Sequence, residues 1–272
     1  MTLAETPAQA PPEEPRPAAP GRGRAWARLA AGLIPPLILL GVWQLVAASG
    51  AYSTAQLPPP ADVAAGLGEL IERGELWRHI AISVQRVLLG YAAGAACGLA
   101  LGALVGLSAP ARALLAPTVQ ALRTVPSLAW VPLLLLWMGI GEAPKQTLVA
   151  IGAFFPVYTT TAAALAHVDP QLVELGRAYG LRGVGLLTKV LLPAAAPSVV
   201  NGLRLGLAQG WLFLVAAELI ASSMGLGFVL IDSQNTGRTD LMLLAIALLA
   251  LLGKTSDAAL GLLERRVVRG RT

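Results

Sequence analysis

Residues 169–197 read Asp169-Pro-Gln-Leu-Val-Glu-Leu-Gly-Arg-Ala-Tyr-Gly-Leu-Arg-Gly-Val-Gly-Leu-Leu-Thr-Lys-Val-Leu-Leu-Pro-Ala-Ala-Ala-Pro197. This is the longest weakly apolar segment between long apolar runs, and Arg177, Arg182 and Lys189 keep it out of lipid. Asp169-Pro170 predicts a helix start: a side-chain acceptor for free N–H groups, then a proline whose missing N–H costs nothing at the first helical position. Leu172, Leu175 and Tyr179 follow at helical spacing. Gly180 then supplies a break, because glycine takes positive φ without a Cβ clash. A second short helix is expected, with Val184, Leu187, Thr188 and Leu191 on one side and Pro193 ending it. The pattern is two short helices joined by a bend, lying in water against a membrane domain.

Composition sets the class. The chain has 272 residues, 56% hydrophobic and 13% charged, where a soluble domain averages about 25% charged. Long apolar runs therefore dominate. The net charge of +5 is no nucleic-acid signal, because the basic residues sit at the edges of those runs. Cys97 is the single cysteine; it rules out an internal disulfide and reads as a packing residue.

Residues 1–24, rich in Pro, Ala and Glu, read as a disordered cytoplasmic tail. The first apolar run, Leu29 to Ala48, is longer than a signal-peptide core and reads as an uncleaved spanning helix, kinked early by Pro35-Pro36. Residues 61–73 read as an amphipathic surface helix with Val63, Leu67, Leu70 and Ile71 on its apolar face. The second span, about 80–107, carries Gly90, Gly94, Gly98, Gly102 and Gly106 at a spacing of four. Such a stripe lets a second helix approach closely; static packing accounts for it, and a sliding contact is the alternative. The third segment, about 112–140, is interrupted by Pro117, Pro126 and Pro132 and holds Gln120 and Arg123. Broken helices at membrane depth line cavities or pack on protein. Spans four to six are expected at about 146–166, 199–222 and 239–262, with an external stretch at 223–238.

Lys254 and Asp257, three residues apart, are expected to pair on one face. Arg204 falls near an interface, and Gln120, Gln209 and Glu218 are candidates for lining a translocation path. Gly253-Lys254-Thr255 echoes the end of a phosphate-binding loop, but the first glycine such a loop needs falls on Leu248. His79 and His167 stand outside any metal-ligand spacing. The chain is therefore not expected to be an enzyme or to hold a cofactor or metal.

Glu174-Leu175-Gly176, Gly180 and Val190-x-Leu192-Pro193 resemble the cytoplasmic signature of ABC-importer permeases: a Glu-Ala-Ala triplet, three residues, a glycine, nine residues, then Ile-x-Leu-Pro. Leu128-Ala129-Trp130-Val131-Pro132, Gly139-Ile140-Gly141, Phe154-Phe155-Pro156, Val168-Asp169-Pro170, Arg238-Thr239-Asp240 and Ala250-Leu251-Leu252-Gly253-Lys254 extend the likeness. Together they resemble permeases of the nitrate, sulfonate and taurine group, with aliphatic sulfonate permeases nearest. The resemblance implies an all-α, type I importer fold with six transmembrane helices over residues 25–272, core spans at about 80–262, and a coupling-helix loop at 167–193.

It further implies that Glu174, Leu175, Gly176, Gly180, Leu181, Arg182, Val190, Leu192 and Pro193 meet an ATPase. The assembly would contain two ABC ATPase subunits carrying ATP and Mg, a second permease subunit (a homodimer) and an external substrate-binding protein. It would lie in the lipid bilayer of a bacterial inner membrane, without nucleic acid. Nitrate, taurine or a pyrimidine precursor are the substrate alternatives. An ion-coupled secondary transporter is the alternative class, disfavoured by the scarcity of central acidic groups.

Charge orients the chain. Twelve basic residues (Arg16, Arg22, Arg24, Arg28, Arg112, Arg177, Arg182, Lys189, Arg265, Arg266, Arg269 and Arg271) fall on the side of the 167–193 loop, and four (Arg73, Arg78, Lys145 and Arg238) on the other. Both termini are then expected in the cytoplasm. In a Cys97→Ala background, single cysteines at Ser53 and Thr236 should react with an impermeant thiol reagent added outside intact cells, and one at Thr188 should not. Labelling at 188 overturns this topology.

Overall fold

The structure, a computed structural model, describes residues 22–269, and all regular structure among them is helical. Most of the tail, residues 1–21, lies outside the described residues; its last three residues, Arg22–Arg24, already belong to a helix. That helix, α1 (Arg22–Ala48), belongs to the first of two units, residues 1–51, and stays helical through Pro35 and Pro36.

The second unit, residues 52–272, contains α2 (Pro60–Glu72), α3 (Glu75–Leu107), α4 (Ala109–Thr124), a 3-10 turn (Ser127–Ala129), α5 (Trp130–Met138) and α6 (Glu142–Ala166). It continues with α7 (Pro170–Ala178), α8 (Gly183–Leu186), a π-helical turn (Leu187–Leu191), α9 (Leu192–Ala221), α10 (Leu226–Thr236) and α11 (Thr239–Arg269). Four stretches are long and apolar enough to cross a membrane: Glu75–Leu107, Glu142–Ala166, Gly183–Ile220 and Thr239–Leu262. Ile34–Ala48 is a shorter apolar helix, and the third apolar segment is divided between α4 and α5.

That division follows from Pro126. Its ring pushes the preceding residue out of helical space, and Val125 sits at φ −66, ψ 125. The chain makes one 3-10 turn, with the Ala129 N–H bonded to the Pro126 carbonyl at 2.9 Å. It then restarts as α5, where Pro132 falls in the first turn and costs no hydrogen bond.

The α3 glycines pack against α6. A Cβ at Gly90 would sit 2.6 Å from the carbonyl oxygen of Gln146; at Gly98, 2.9 Å from that of Phe154; at Gly102, 2.9 Å from that of Tyr158; at Gly106, 3.0 Å from that of Ala162. Gly94 faces the Ala150 carbonyl in the same way. Each glycine meets a backbone oxygen 56 residues further on, so the two helices run parallel in constant register. Arg86 and Glu142, also 56 apart, form the next rung at the same spacing. Repeated Cα-to-carbonyl contacts of this kind add weak hydrogen bonding to van der Waals packing. On its other side α6 meets α9: Gly206 faces Val157 and the Ala153 carbonyl, and Gly152 lies under the Phe213 ring. Val149, Ala153 and Val157 of α6 are fully buried between the two neighbours.

Two expectations are corrected, at Pro193 and at Cys97. Pro193 does not end a helix: residues 183–221 run on without a break. The π turn at 187–191 lengthens the hydrogen-bonding step just where the proline withholds its N–H, so the chain passes Pro193 without leaving helical geometry. The stretch 223–238, expected as an external connection, contains α10. Leu226 and Val229 are buried there, Val229 against Leu241, Leu244 and Ala245 of α11, and Gly237 at φ 71 closes the helix. Cys97 does not pack inside; it is exposed on α3.

Gly98→Leu is expected to destabilise the protein by about 1–3 kcal/mol through overpacking. The melting temperature in detergent measures this, with Gly68→Leu, where a Cβ meets nothing within 4 Å, as the control. Equal melting of the two variants would mean the ladder does not bear packing.

Candidate functional site: the 167–193 loop and the polar clusters

The loop opens as its sequence suggests. The Asp169 carboxylate accepts from the Gln171 N–H at 2.9 Å, and Pro170 occupies the first helical position. α7 closes with the Gly180 N–H bonded to the Arg177 carbonyl (2.9 Å) and the Leu181 N–H to the Gly176 carbonyl (3.0 Å). This is a Schellman closure, which requires a left-handed residue; Gly180 has φ 78. Arg182 is extended and Gly183 starts α8.

Gly176 is the one buried residue of α7. A Cβ there would sit 2.8 Å from Leu186 and 3.0 Å from Val190. The face that seats the loop is therefore Leu186 and Val190. On the side of Val184, Leu187, Thr188 and Leu191, Val184 and Thr188 are exposed. Leu172, Leu175, Tyr179, Val184 and Leu192 are exposed large apolar side chains, and Glu174, Arg177, Arg182 and Lys189 are exposed beside them. An apolar patch rimmed by charge is the usual form of a protein docking surface.

A second arrangement lies at the start of α3 and α6. Arg86 donates to both Glu142 oxygens (2.6 and 2.6 Å), to Glu218 (2.8 Å), to the Ser222 hydroxyl (3.1 Å) and to the Met224 carbonyl (2.6 Å). Glu218, with no exposed surface, also accepts from Ser83 (2.9 and 3.0 Å) and from the Gly227 N–H (2.8 Å). Ser83 accepts in turn from the Leu226 N–H at 2.9 Å, and His79 from the Gly225 N–H at 3.1 Å. Lys145, buried, donates to Glu142 at 3.2 Å. Two cations and two carboxylates thus balance in one cluster, buried at Arg86, Lys145 and Glu218 and open to the outside at Glu142, that ties α3, α6, α9 and α10 together. Glu218 is placed here and not on a path-lining face, because this buried guanidinium holds it. Sequence reasoning missed Arg86, Ser83 and Glu142; the available signal was an arginine inside an apolar run.

Two further clusters follow. Arg204 grips Asp257 with two bonds (2.8 and 2.9 Å) and reaches Glu264 at 3.2 Å. Asp257 therefore pairs across helices, not with Lys254 on its own helix, because a planar guanidinium meets both carboxylate oxygens at once. Arg238 bonds Glu69 and Asp240 at 2.6 and 2.8 Å, and Arg73 also pairs with Glu69. The hydrogen bond from Arg238 is the main cause that holds the Glu69 carboxyl below its ordinary range. Of the remaining path candidates, Gln120 is exposed on α4, and Gln209 lines a cavity of about 370 Å³ between the break at 125–130, α6 and α9.

Residues 87–269 match the family described as "Binding-protein-dependent transport system inner membrane component". A Bacillus subtilis (strain 168) protein, SsuC, named as an aliphatic sulfonates transport permease, is 40% identical, covering 93% of this chain and 91% of that protein. The Escherichia coli (strain K12) protein TauC, named as a taurine transport system permease, is 36% identical over 85% of this chain and 86% of its own. NrtB of Leptolyngbya laminosa, named as a nitrate import permease, is 34% identical over 85% of each chain. Among solved structures, an inward-facing form of the MetNI methionine ABC transporter has a chain of the same fold. It matches at TM-score 0.61 and 23% identity, covering 72% of this chain and 96% of that one.

Removing one member of a buried ion pair leaves the other uncompensated and costs about 3–5 kcal/mol. Arg86→Leu should therefore lower the detergent melting temperature sharply. Adding Glu218→Leu should recover part of the loss, because the orphaned charge goes with it. Strictly additive losses in the double variant would show that Arg86 and Glu218 do not depend on one another.

Proposed function

Since the chain belongs to the family of binding-protein-dependent transport system inner membrane components, we infer that it is the permease subunit of an ATP-driven importer of aliphatic sulfonates. Family membership makes it a multi-pass membrane protein. The substrate class is supported by 40% and 42% identity, nearly end to end, to two proteins named as aliphatic sulfonates transport permeases. The observation that carries the coupling reading is the loop: a left-handed Gly180 turns an exposed apolar patch outward, and Gly176 seats its base on Leu186 and Val190. Glu174, Leu175, Gly176, Gly180, Leu181, Arg182, Val190, Leu192 and Pro193 form this coupling element.

In this reading ATP and Mg bind two partner ATPases, and hydrolysis happens there. Two copies of this chain enclose the path, and an external binding protein delivers the substrate. Both termini and the loop face the cytoplasm, in keeping with the basic bias of that side.

Gly180→Val isolates the coupling step. A Cβ at 180 meets nothing within 4 Å, so only the positive φ opposes a branched side chain. The membrane helices should fold, and the loop should be misdirected. With permease amounts matched in proteoliposomes, the variant should bind less ATPase and import no alkanesulfonate. Full ATPase assembly with coupled import would remove the loop from the mechanism. Wild-type import of nitrate or taurine but not alkanesulfonate would reassign the substrate.

A further inference from the structure

The cavity that holds Gln209 is also lined by Arg123, whose side chain has no partner among the described residues. Arg86, Arg112, Arg204 and Arg238 each bond carboxylates or backbone carbonyls. Arg123, at the end of α4 beside the Pro126 break, makes no hydrogen bond or ion pair with any described residue. An intramembrane guanidinium is costly, and it persists where it faces water or an anion. Gln209, near the middle of α9, is likewise without a partner among the described residues.

Thr159 and Thr160 share the wall but spend their hydroxyl protons on carbonyls of their own helix. Thr159 donates to Phe155 and Pro156 (2.9 and 3.1 Å), and Thr160 to Pro156 and Val157 (2.8 and 3.2 Å). They turn lone pairs, not donors, toward the space. The free donors are thus the Arg123 guanidinium, the Gln209 amide and the Trp130 indole N–H. The rest of the lining is apolar, with Ile151, Phe155, Leu205, Phe213 and the Trp130 ring face.

We propose that this cavity is a sulfonate-binding station on the translocation path: Arg123 and Gln209 hold the oxyanion head, and the Trp130, Phe155 and Phe213 rings cover its alkyl chain. The proposal rests on the importer reading above and adds where the substrate sits. A planar fork matches two oxygens of a sulfonate, and charge-assisted hydrogen bonds are the strong ones. No carboxylate lines the cavity, so nothing there repels an anion. The aromatic wall also distinguishes an alkanesulfonate from a bare inorganic anion, which would gain nothing from it.

The test is import by the complete complex, with its ATPase and binding protein, in proteoliposomes normalised for assembled permease, using butanesulfonate and nitrate as probes. Hydrogen bonds to a charged group are worth enough to predict a loss of about ten- to a hundredfold in kcat/KM for butanesulfonate in Arg123→Gln. Arg123→Lys should regain part of it, and Gln209→Leu should lose less. Gln209 is exposed on a long helix, so Gln209→Leu decides the matter if Arg123→Gln fails to assemble. Wild-type butanesulfonate import that survives undiminished in assembled Arg123→Gln or Gln209→Leu overturns the station and leaves the importer reading intact. Wild-type import of nitrate without butanesulfonate overturns the sulfonate assignment in both.

Discussion

The constant register between α3 and α6 is the constraint on which the second unit depends. Five glycines at a spacing of four remove every side chain from one stripe of α3, and the carbonyls of Gln146, Ala150, Phe154, Tyr158 and Ala162 fill the space. Lipid supplies no hydrophobic drive between apolar helices, so such close contact carries the association. A slip of one turn would bring each glycine to the next carbonyl in the row and so leave the ladder satisfied. The bidentate contact of Arg86 with Glu142 removes that degeneracy: it is a charged rung that fits only one alignment.

From that rung the same guanidinium reaches Glu218 on α9 and the Met224 carbonyl before α10. One side chain thereby fixes three helices and a connecting turn at the end where the ladder stops. Gly225 and Gly227 permit this, because a Cβ at either would run into Glu218. Midway along α9, Arg204 ties the helix to α11 through Asp257 and Glu264. The helices are therefore held by close packing along the glycine ladder and by balanced charge at its end and at the α9–α11 contact.

The backbone was more legible in the sequence than the side-chain pairing. Asp169-Pro170, Gly180, Val125-Pro126 and the glycine stripe act through local sterics and hydrogen bonding, which a few neighbouring residues determine. The family follows from the same local spacing. Pro193 misled because a proline stops a helix only where no adjustment of the hydrogen-bonding step absorbs it, and the π turn before it does so. Lys254 was the wrong partner for Asp257 because proximity in sequence says nothing of Arg204, 53 residues away. Arg86 and Glu218 escaped for the same reason: their 132-residue separation closes only once α3 and α9 have both docked on α6.

The unbroken course from Gly183 to Ile220 has a mechanical consequence. α9 meets α6 at Gly202, where the glycine faces the Thr160 side chain. At 1.5 Å per residue, Gly183 is about 29 Å from that point on one side and Gln209 about 10 Å on the other. A helix rocking about Gly202 is a lever with arms of about three to one. For such a lever, a wide swing at Gly183 would arrive at Gln209 reduced in amplitude, opposite in direction and multiplied in force.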